Sequence, residues 1–281
     1  MKKILIFPLL MSSLGILAAC GSPVNEHPSK KTSESSDVTP KSYKVLFIGN
    51  SFTWYNDLDV VTQAMGISAG IDITCDRVAI SAHHLYEYAT DGDEGAIQIE
   101  EKLNNNTYTH IILQEHSTYP VNNYQGFLEG ATNLVSKLKA KSPDSVIRLY
   151  QTWGFQNMVG NYGSTIEECE NNLCTAYQNV AKALNLKIHY VGKAFTKWLK
   201  EHANGLSPYY SGDNKHPSFL GTYLSGLIHL ASLTGVDLAN VTYQGTQGQF
   251  NPYGEIYVDD SSKASAIEVA KYIYQTYGIN Y

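Results

Sequence analysis

The sequence predicts an α/β fold, a three-layer α/β/α sandwich around a mostly parallel sheet of five strands. The first observation behind this prediction is an alternation, from Tyr43 onward, of short apolar segments with longer segments of helical spacing. The second is that the short segments are apolar almost throughout, as in parallel strands that helices cover on both faces. At 281 residues, 43% of them apolar, the chain is long enough to bury a large core.

Most of the predicted strands are short apolar runs, whereas Ile71–Ile80 alternates like a strand, and each predicted helix carries apolar residues at helical spacing. The predicted strands are Tyr43–Gly49, Ile71–Ile80, His110–Gln114, Val146–Gln151 and Lys187–Val191. The predicted helices are Leu58–Ala69, Gly95–Leu103, Gly126–Ala140, Thr165–Leu184, Ala194–Ala203 and Ser262–Tyr277. Because no linker-like segment interrupts this series, residues 43–281 are expected to form one domain.

The first forty residues have the pattern of an export signal and a linker. A basic start precedes an apolar run from Ile4 to Ala19, which is typical of a signal peptide over residues 1–19. The segment Leu17-Ala18-Ala19-Cys20-Gly21 resembles the lipobox of bacterial lipoproteins, which implies cleavage before Cys20 and acylation of its thiol; an ordinary signal peptide is the alternative. Residues 20–42 are rich in Ser, Pro, Lys and Glu and are predicted to be a disordered tether. We therefore expect a lipid-anchored protein on the extracytoplasmic side of the cell membrane, with no other membrane contact.

Charge and motif content exclude several classes of function. The formal net charge is −6 and residues 43–281 contain no dense stripe of lysine and arginine, so a nucleic-acid partner is not expected. No glycine loop that could cradle a phosphate occurs, so no nucleotide cofactor is expected. His83, His84, His116 and His216 lack the spacing of known metal motifs, so we expect neither a metal ion nor another cofactor.

The segments that follow the predicted strands are the expected place for a site, because ligands bind beyond the carboxyl ends of parallel strands. Ser51 directly follows the first strand, where a turn into a helix would expose its hydroxyl and direct its backbone N–H at a developing negative charge. The segment Gly66-Ile67-Ser68-Ala69-Gly70 matches the G-x-S-x-G pattern of a nucleophile. That motif must run from a strand into a helix, whereas this segment ends a predicted helix and precedes a predicted strand. Ser68 is therefore not expected to react.

A second group of reactive side chains lies near the C-terminus. Asp213 and His216 are three residues apart and can meet in a turn that leads into a helix, with Pro217 expected at the first helical position. In that arrangement the carboxylate holds the imidazole in one orientation and stabilises its cationic form. The other ring nitrogen is then left to take a proton from a serine.

These motifs together resemble the SGNH (GDSL-type) hydrolase superfamily, in particular a poorly characterised bacterial branch of it. In that family a Gly-Asp-Ser block after the first strand carries the nucleophile, and an Asp-x-x-His block near the C-terminus completes a catalytic triad. The corresponding blocks here are Gly49-Asn50-Ser51-Phe52 and Asp213-x-x-His216. The resemblance implies a flavodoxin-like fold and a triad of Ser51, His216 and Asp213.

The oxyanion hole that the resemblance implies is less complete. It would consist of the Ser51 N–H, an N–H at Ala82, where the family has glycine, and a side chain in the segment Leu113-Gln114-Glu115-His116-Ser117. The family has an asparagine in that segment. Alignment on the strand places His116 there, whereas Gln114 is the only nearby carboxamide, and the sequence does not choose between them.

Aromatic residues are concentrated near the predicted site. The chain has 21 tyrosines but only 3 tryptophans and 8 phenylalanines, and tyrosine joins an apolar ring to a polar tip. Trp54, Tyr119, Trp153 and Tyr210 fall near strand ends or the Asp213 block and are predicted to bind substrate by stacking on sugar rings.

The function expected from these observations is that of an extracytoplasmic serine esterase. It would hydrolyse small acyl esters, such as acetyl groups, on a carbohydrate or a cell-surface glycan. Two alternatives stay open: a lipid or thioester acyl hydrolase with the same triad, and a catalytically silent lipoprotein that binds glycans. The altered second and third blocks favour the last of these.

Overall fold

The computed structural model describes residues 42–278, so the predicted signal peptide, Cys20 and all of the predicted tether except Ser42 lie outside the described residues. Within them, five strands form one sheet in the order β2-β1-β3-β4-β5, and every neighbouring pair is parallel. The strands are β1 (Tyr43–Gly49), β2 (Ile73–Ala79), β3 (His110–Leu113), β4 (Val146–Tyr150) and β5 (Lys187–His189). The prediction of a mostly parallel five-stranded sheet is confirmed.

Helices cover both faces of this sheet. The α-helices of the described part are α1 (Ser51–Trp54), α2 (Leu58–Ser68), α3 (Leu85–Tyr88), α4 (Glu94–Asn105), α5 (Tyr119–Asn122), α6 (Tyr124–Lys141), α7 (Ile166–Leu184), α8 (Val191–Glu201), α9 (Phe219–Thr234) and α10 (Asp260–Ile273). A π-helical turn over Tyr274–Gly278 follows α10. Helix α9 packs against α2, α8 and α10, whereas α6 packs against α3, α5 and α7. None of the helices within residues 42–278 is long and apolar enough to cross a membrane.

Strand β1 lies inside the sheet, where its neighbours are β2 and β3. Val45, Leu46, Phe47 and Ile48 are buried in succession, because a strand that is covered on both faces needs apolar side chains pointing both ways. This continuous apolar run is the signal that predicts the strand. Because β1 is the second of the five strands, its end, and with it Ser51, lies between the ends of β2 and β3.

Helix α9 and a β-hairpin are absent from the predicted elements. Almost every residue of α9 is buried, so the helix lacks the polar face that makes helical spacing visible in a sequence. The position predicted for Pro217 was wrong: Ser218 is the N-cap of α9, and its hydroxyl accepts the Gly221 N–H, so Pro217 lies before the helix. The hairpin consists of β6 (Gly245–Asn251) and β7 (Gly254–Tyr257), which are antiparallel and mostly exposed.

A pair of buried histidines joins the sheet to α9. The Nδ1 atoms of His189 on β5 and His229 on α9 are 2.7 Å apart, so one ring donates its N–H to the other. Both rings are fully buried, which lowers the pKa of His229 to about 3 and that of His189 well below its ordinary value. The native protein therefore keeps both rings neutral.

We predict that this pair makes the protein sensitive to acid. Below an ordinary histidine pKa of 6.5, the unfolded chain binds protons that the native rings do not. The free energy of unfolding then falls as the pH decreases, by up to about 1.4 kcal/mol per pH unit for each buried ring. In His229→Leu this dependence should be shallower by about that amount, as measured by urea unfolding between about pH 7 and pH 4. Near pH 8, the difference in the free energy of unfolding between the two proteins gives the packing cost of the substitution alone. The prediction would be contradicted if the free energy of unfolding depended on pH equally in both proteins.

Candidate active site

The turn between β1 and α1 presents Ser51. Asn50 is the N-cap of α1, and its side-chain oxygen accepts the Phe52 N–H at 3.2 Å. Its side-chain nitrogen donates to the His83 carbonyl at 3.0 Å, which joins this turn to the loop after β2. An aspartate carboxylate, which the SGNH family has at this position, could not donate that second bond. Asn50 therefore preserves the turn and adds a link across the sheet edge.

Gln114, at the end of β3, holds the same turn from the other side. Its Oε1 accepts the Asn50 N–H and the Thr53 hydroxyl, both at 2.9 Å, and its Nε2 donates to Asn50 Oδ1 at 3.0 Å and to the Glu115 carbonyl at 2.6 Å. All four hydrogen-bonding positions of the carboxamide are used. The prediction that Gln114 could be an oxyanion donor was therefore wrong, because no N–H is left to donate. At Gly49 a Cβ would lie 2.5 Å from the Gln114 Oε1, so only glycine fits beside this side chain.

The predicted triad residues lie in hydrogen-bonding order. The Nε2 of His216 is 2.7 Å from the Ser51 Oγ, and its Nδ1 is 2.6 Å from the Asp213 Oδ2. The other oxygen of Asp213 accepts the backbone N–H groups of Lys215 and His216 at 2.9 and 3.0 Å. Partial burial raises the pKa of Asp213, but the hydrogen bonds from His216 and Lys215 outweigh it and hold that pKa below its ordinary value. The carboxylate is thus ionised at neutral pH.

Asn56 joins the two halves of the triad and was not identified from the sequence. Its side-chain nitrogen donates to the Pro217 carbonyl at 3.1 Å and to the Thr222 hydroxyl at 3.0 Å, and its oxygen accepts from Asn251 of the hairpin at 2.8 Å. Asn56 is buried and has a φ of 53°, a left-handed conformation that asparagine tolerates better than most residues. One side chain therefore connects the segment after Ser51, the segment after His216, α9 and β6.

An aromatic cluster of Trp54, Tyr55, Tyr210 and Tyr253 lies beside His216. The Tyr55 ring stacks on the imidazole with centroids 4.2 Å apart, and Tyr253, near the tip of the hairpin, stacks on Tyr55 at 4.0 Å. Trp54 and Tyr210 contact both of these tyrosines, and all four side chains are partly exposed. Trp54 and Tyr210 therefore lie where the sequence predicts substrate contacts. Tyr253 was missed, although the turn residues Asn251-Pro252-Tyr253-Gly254 give a hairpin signal.

Trp153 has a different position from the one predicted. It is fully buried and lies between Phe52 and Phe195, with ring centroids 4.3 and 4.2 Å away. The prediction that it contacts substrate was wrong. Trp153 does follow a strand, as predicted, but its ring points into the core. Its indole N–H donates to the Lys215 carbonyl at 2.9 Å and so fixes the backbone next to His216.

Three of the predicted oxyanion donors stay available. Among the described residues, the N–H groups of Ser51 and Ala82 and the ring of His116 make no hydrogen bond. Ala82 has a φ of 61°, which explains why glycine suits this position. Burial, together with the charges of His84 and Lys215, lowers the pKa of His116 to about 4, so the ring is neutral and carries one N–H. Their role as an oxyanion hole stays a prediction.

A buried carboxyl group, whose pKa burial raises, supports the His116 side of the site and was not predicted from the sequence. Glu115 is fully buried and accepts hydrogen bonds from His84 Nδ1 and the Leu85 N–H, each at 3.2 Å, and from the His116 N–H at 2.5 Å. The predicted substrate contact Tyr119 packs edge-on against His84 at 4.2 Å. Glu115 thereby fixes the backbone of His116 and the orientation of His84.

Comparisons with known proteins agree with this architecture. Neither the protein-family models nor the curated proteins give a match to the sequence. Among solved structures, a DUF4886 family protein from Bacteroides uniformis ATCC 8492 is similar, with a TM-score of 0.67, 18% identity, and 83% of this chain and 95% of that chain covered. A protein assigned to the SGNH hydrolases from Slackia heliotrinireducens gives a TM-score of 0.54 at 17% identity, covering 67% of this chain and 97% of the other. An acetyl xylan esterase gives 0.51 at 11% identity, covering 67% and 98%. The chain therefore has the fold of the SGNH (GDSL-type) hydrolase superfamily, as its motifs predict.

Proposed function

We propose that the protein is a serine esterase that removes small acyl groups, such as acetyl, from a carbohydrate outside the cytoplasm. The observation that carries this proposal is the continuous chain of hydrogen bonds from Ser51 through His216 to Asp213, at 2.7 and 2.6 Å. Geometry of this kind is what a serine hydroxyl needs to become a nucleophile. The SGNH-type fold of the chain supports the same chemistry.

The reaction follows from the geometry of the three residues. His216 takes the Ser51 proton through Nε2 as the serine oxygen attacks the ester carbonyl, and the ionised Asp213 stabilises the imidazolium that forms. The N–H groups of Ser51 and Ala82 and the ring N–H of His116 would hold the oxyanion. His216 then gives the proton to the leaving alcohol. A water molecule, activated by the same ring, hydrolyses the acyl-serine intermediate.

The choice of a carbohydrate ester rests on the surroundings of the triad. The aromatic cluster beside His216 offers partly exposed ring faces, which suit stacking on sugar rings. The fold similarity to an acetyl xylan esterase supports a small acyl group on a glycan. The lipobox-like segment around Cys20 supports anchoring by lipid on the extracytoplasmic side, where such glycans occur.

The nucleophile is tested first. A fluorophosphonate probe should label the wild type and not Ser51→Ala, since the phosphonate reacts only with an activated serine. Turnover of 4-nitrophenyl acetate should fall by about 10⁴-fold or more in this variant. Ser68→Ala is the control, because the Ser68 hydroxyl donates to the Met65 carbonyl and should not react. Equal labelling of wild type and Ser51→Ala would remove Ser51 as nucleophile, and an unlabelled wild type would favour the silent glycan-binding protein.

The acyl group is tested separately. Activity on 4-nitrophenyl esters should decrease as the acyl chain lengthens from acetyl, and acetate should be released from acetylated polysaccharides. A preference for long-chain esters or for thioesters would instead support the lipid or thioester acyl hydrolase. Absence of acetate release from every acetylated polysaccharide would count against the deacetylase assignment.

Asn56 is predicted to be a positioning residue. Glycine accepts its positive φ, so Asn56→Gly removes the three side-chain hydrogen bonds without adding backbone strain. We expect kcat on 4-nitrophenyl acetate to fall by about 10- to 100-fold, because His216 is no longer held against Ser51. Asn185→Gly is the matched control: Asn185 has the same φ of 53° but ends α7 and is exposed. Equal kcat values in the two variants would show that Asn56 does not position the triad.

A further inference from the structure

The backbone of Lys215 is fixed within the Asp213–His216 segment. Its N–H donates to Asp213 Oδ1 at 2.9 Å, and its carbonyl accepts the Trp153 indole N–H at 2.9 Å. The side chain lies over two aromatic rings, with Nζ 5.7 Å from the centroid of Phe52 and 5.5 Å from that of Phe155. Backbone hydrogen bonds and contacts with two aromatic rings together fix the position of the ammonium group.

The ammonium of Lys215 has no oxygen to bind within residues 42–278. No hydrogen bond or ion pair of its Nζ occurs there, and both oxygens of Asp213 are occupied by His216 and by backbone N–H groups. In the same part of the chain, every other half-buried lysine has its ammonium near an oxygen. These lysines are Lys44, Lys102, Lys193, Lys197, Lys263 and Lys271. Two aromatic rings and the charge of Asp213 stabilise this half-buried cation, but its N–H groups have no acceptor, and this exception points to a ligand.

The unpaired ammonium lies at the site itself. Lys215 precedes His216 in the chain, its side chain covers the ring of Phe52, which follows Ser51, and its charge contributes to the lowered pKa of His116. An anion bound to Lys215 would therefore be close to the ester under attack. The net charge of −6 opposes anions at long range, but salt screens that repulsion beyond about 10 Å, whereas a direct charge-assisted hydrogen bond is short-range.

We propose that Lys215 forms an anion subsite beside Ser51 that binds a carboxylate on the sugar ring of the substrate. One ammonium balances one negative charge, which matches a carboxylate better than a phosphate monoester carrying close to two charges. The inference rests on the proposed esterase function and narrows its substrate to acylated acidic sugars, such as uronic acid residues.

The test compares two esters that differ in one group. Acetylated methyl glucoside and acetylated methyl glucuronide, with the acetyl group on the same hydroxyl, differ only in a neutral or an acidic substituent on the ring. The wild type should prefer the acidic ester in kcat/KM by about tenfold, the size of one charged hydrogen bond. In Lys215→Met, which keeps the apolar stem, this preference should disappear, and Lys215→Arg should restore most of it. Lys182→Met is the control, since Lys182 is exposed on α7, and it should keep the wild-type preference.

Several outcomes would overturn the inference. A wild type that prefers the neutral ester, or a Lys215→Met variant that loses rate equally on both esters, would show that Lys215 does not read a carboxylate. If the wild type hydrolyses neither ester, the proposed function fails, and the subsite is judged by calorimetric binding of methyl glucuronide to the wild type. Absent binding, equal binding to Lys215→Met, or tighter binding of methyl glucoside 6-phosphate than of the glucuronide would also contradict it.

Discussion

The hydrogen bond between Ser51 and His216 joins residues 165 positions apart, and the rest of the site is organised around keeping those two atoms 2.7 Å apart. Ser51 is held by the turn after β1, and the carboxamide of Gln114 stabilises that turn with hydrogen bonds. His216 is fixed from beneath by Trp153, through the Lys215 carbonyl, and from the side by Asn56. Each support comes from a different element, so the precision of the pair depends on the whole sheet edge and not on either loop alone.

Charge is distributed unevenly between the molecule and its site. The chain as a whole is acidic, yet His216 contacts Ser51, and the ammonium of Lys215 lies over the ring of Phe52, the residue after Ser51. The carboxyl groups of Asp213 and Glu115 lie nearby, and both accept hydrogen bonds from the protein, while burial raises the pKa of Glu115. These hydrogen bonds orient His216 and His84 and leave the Lys215 ammonium without a carboxylate partner among residues 42–278.

The sequence predicts the parts of this structure that local pattern determines. The inner strands β1 and β3 are visible because both of their faces are apolar, and the Asp213–His216 spacing closes within one turn. Helix α9 was not predicted because it is apolar on almost every side. The sequence does not predict the four hydrogen bonds of Gln114 or the burial of the Trp153 ring. Both depend on contacts between residues far apart in the chain, which no local spacing encodes. The sequence thus predicts the three residues that lie in hydrogen-bonding order, but not the side chains that support them.

The β6–β7 hairpin follows α9 and lies outside the five-stranded sheet, yet its turn places Asn251 and Tyr253 against the residues next to Ser51. Most of its length is exposed and makes no demand on the packing of the sheet. Substitutions along its exposed strands should therefore disturb the sheet little, provided that the two contacts at the tip persist. Exchanging the hairpin between related chains would therefore change the residues that contact Tyr55 and Asn56 while leaving the sheet in place.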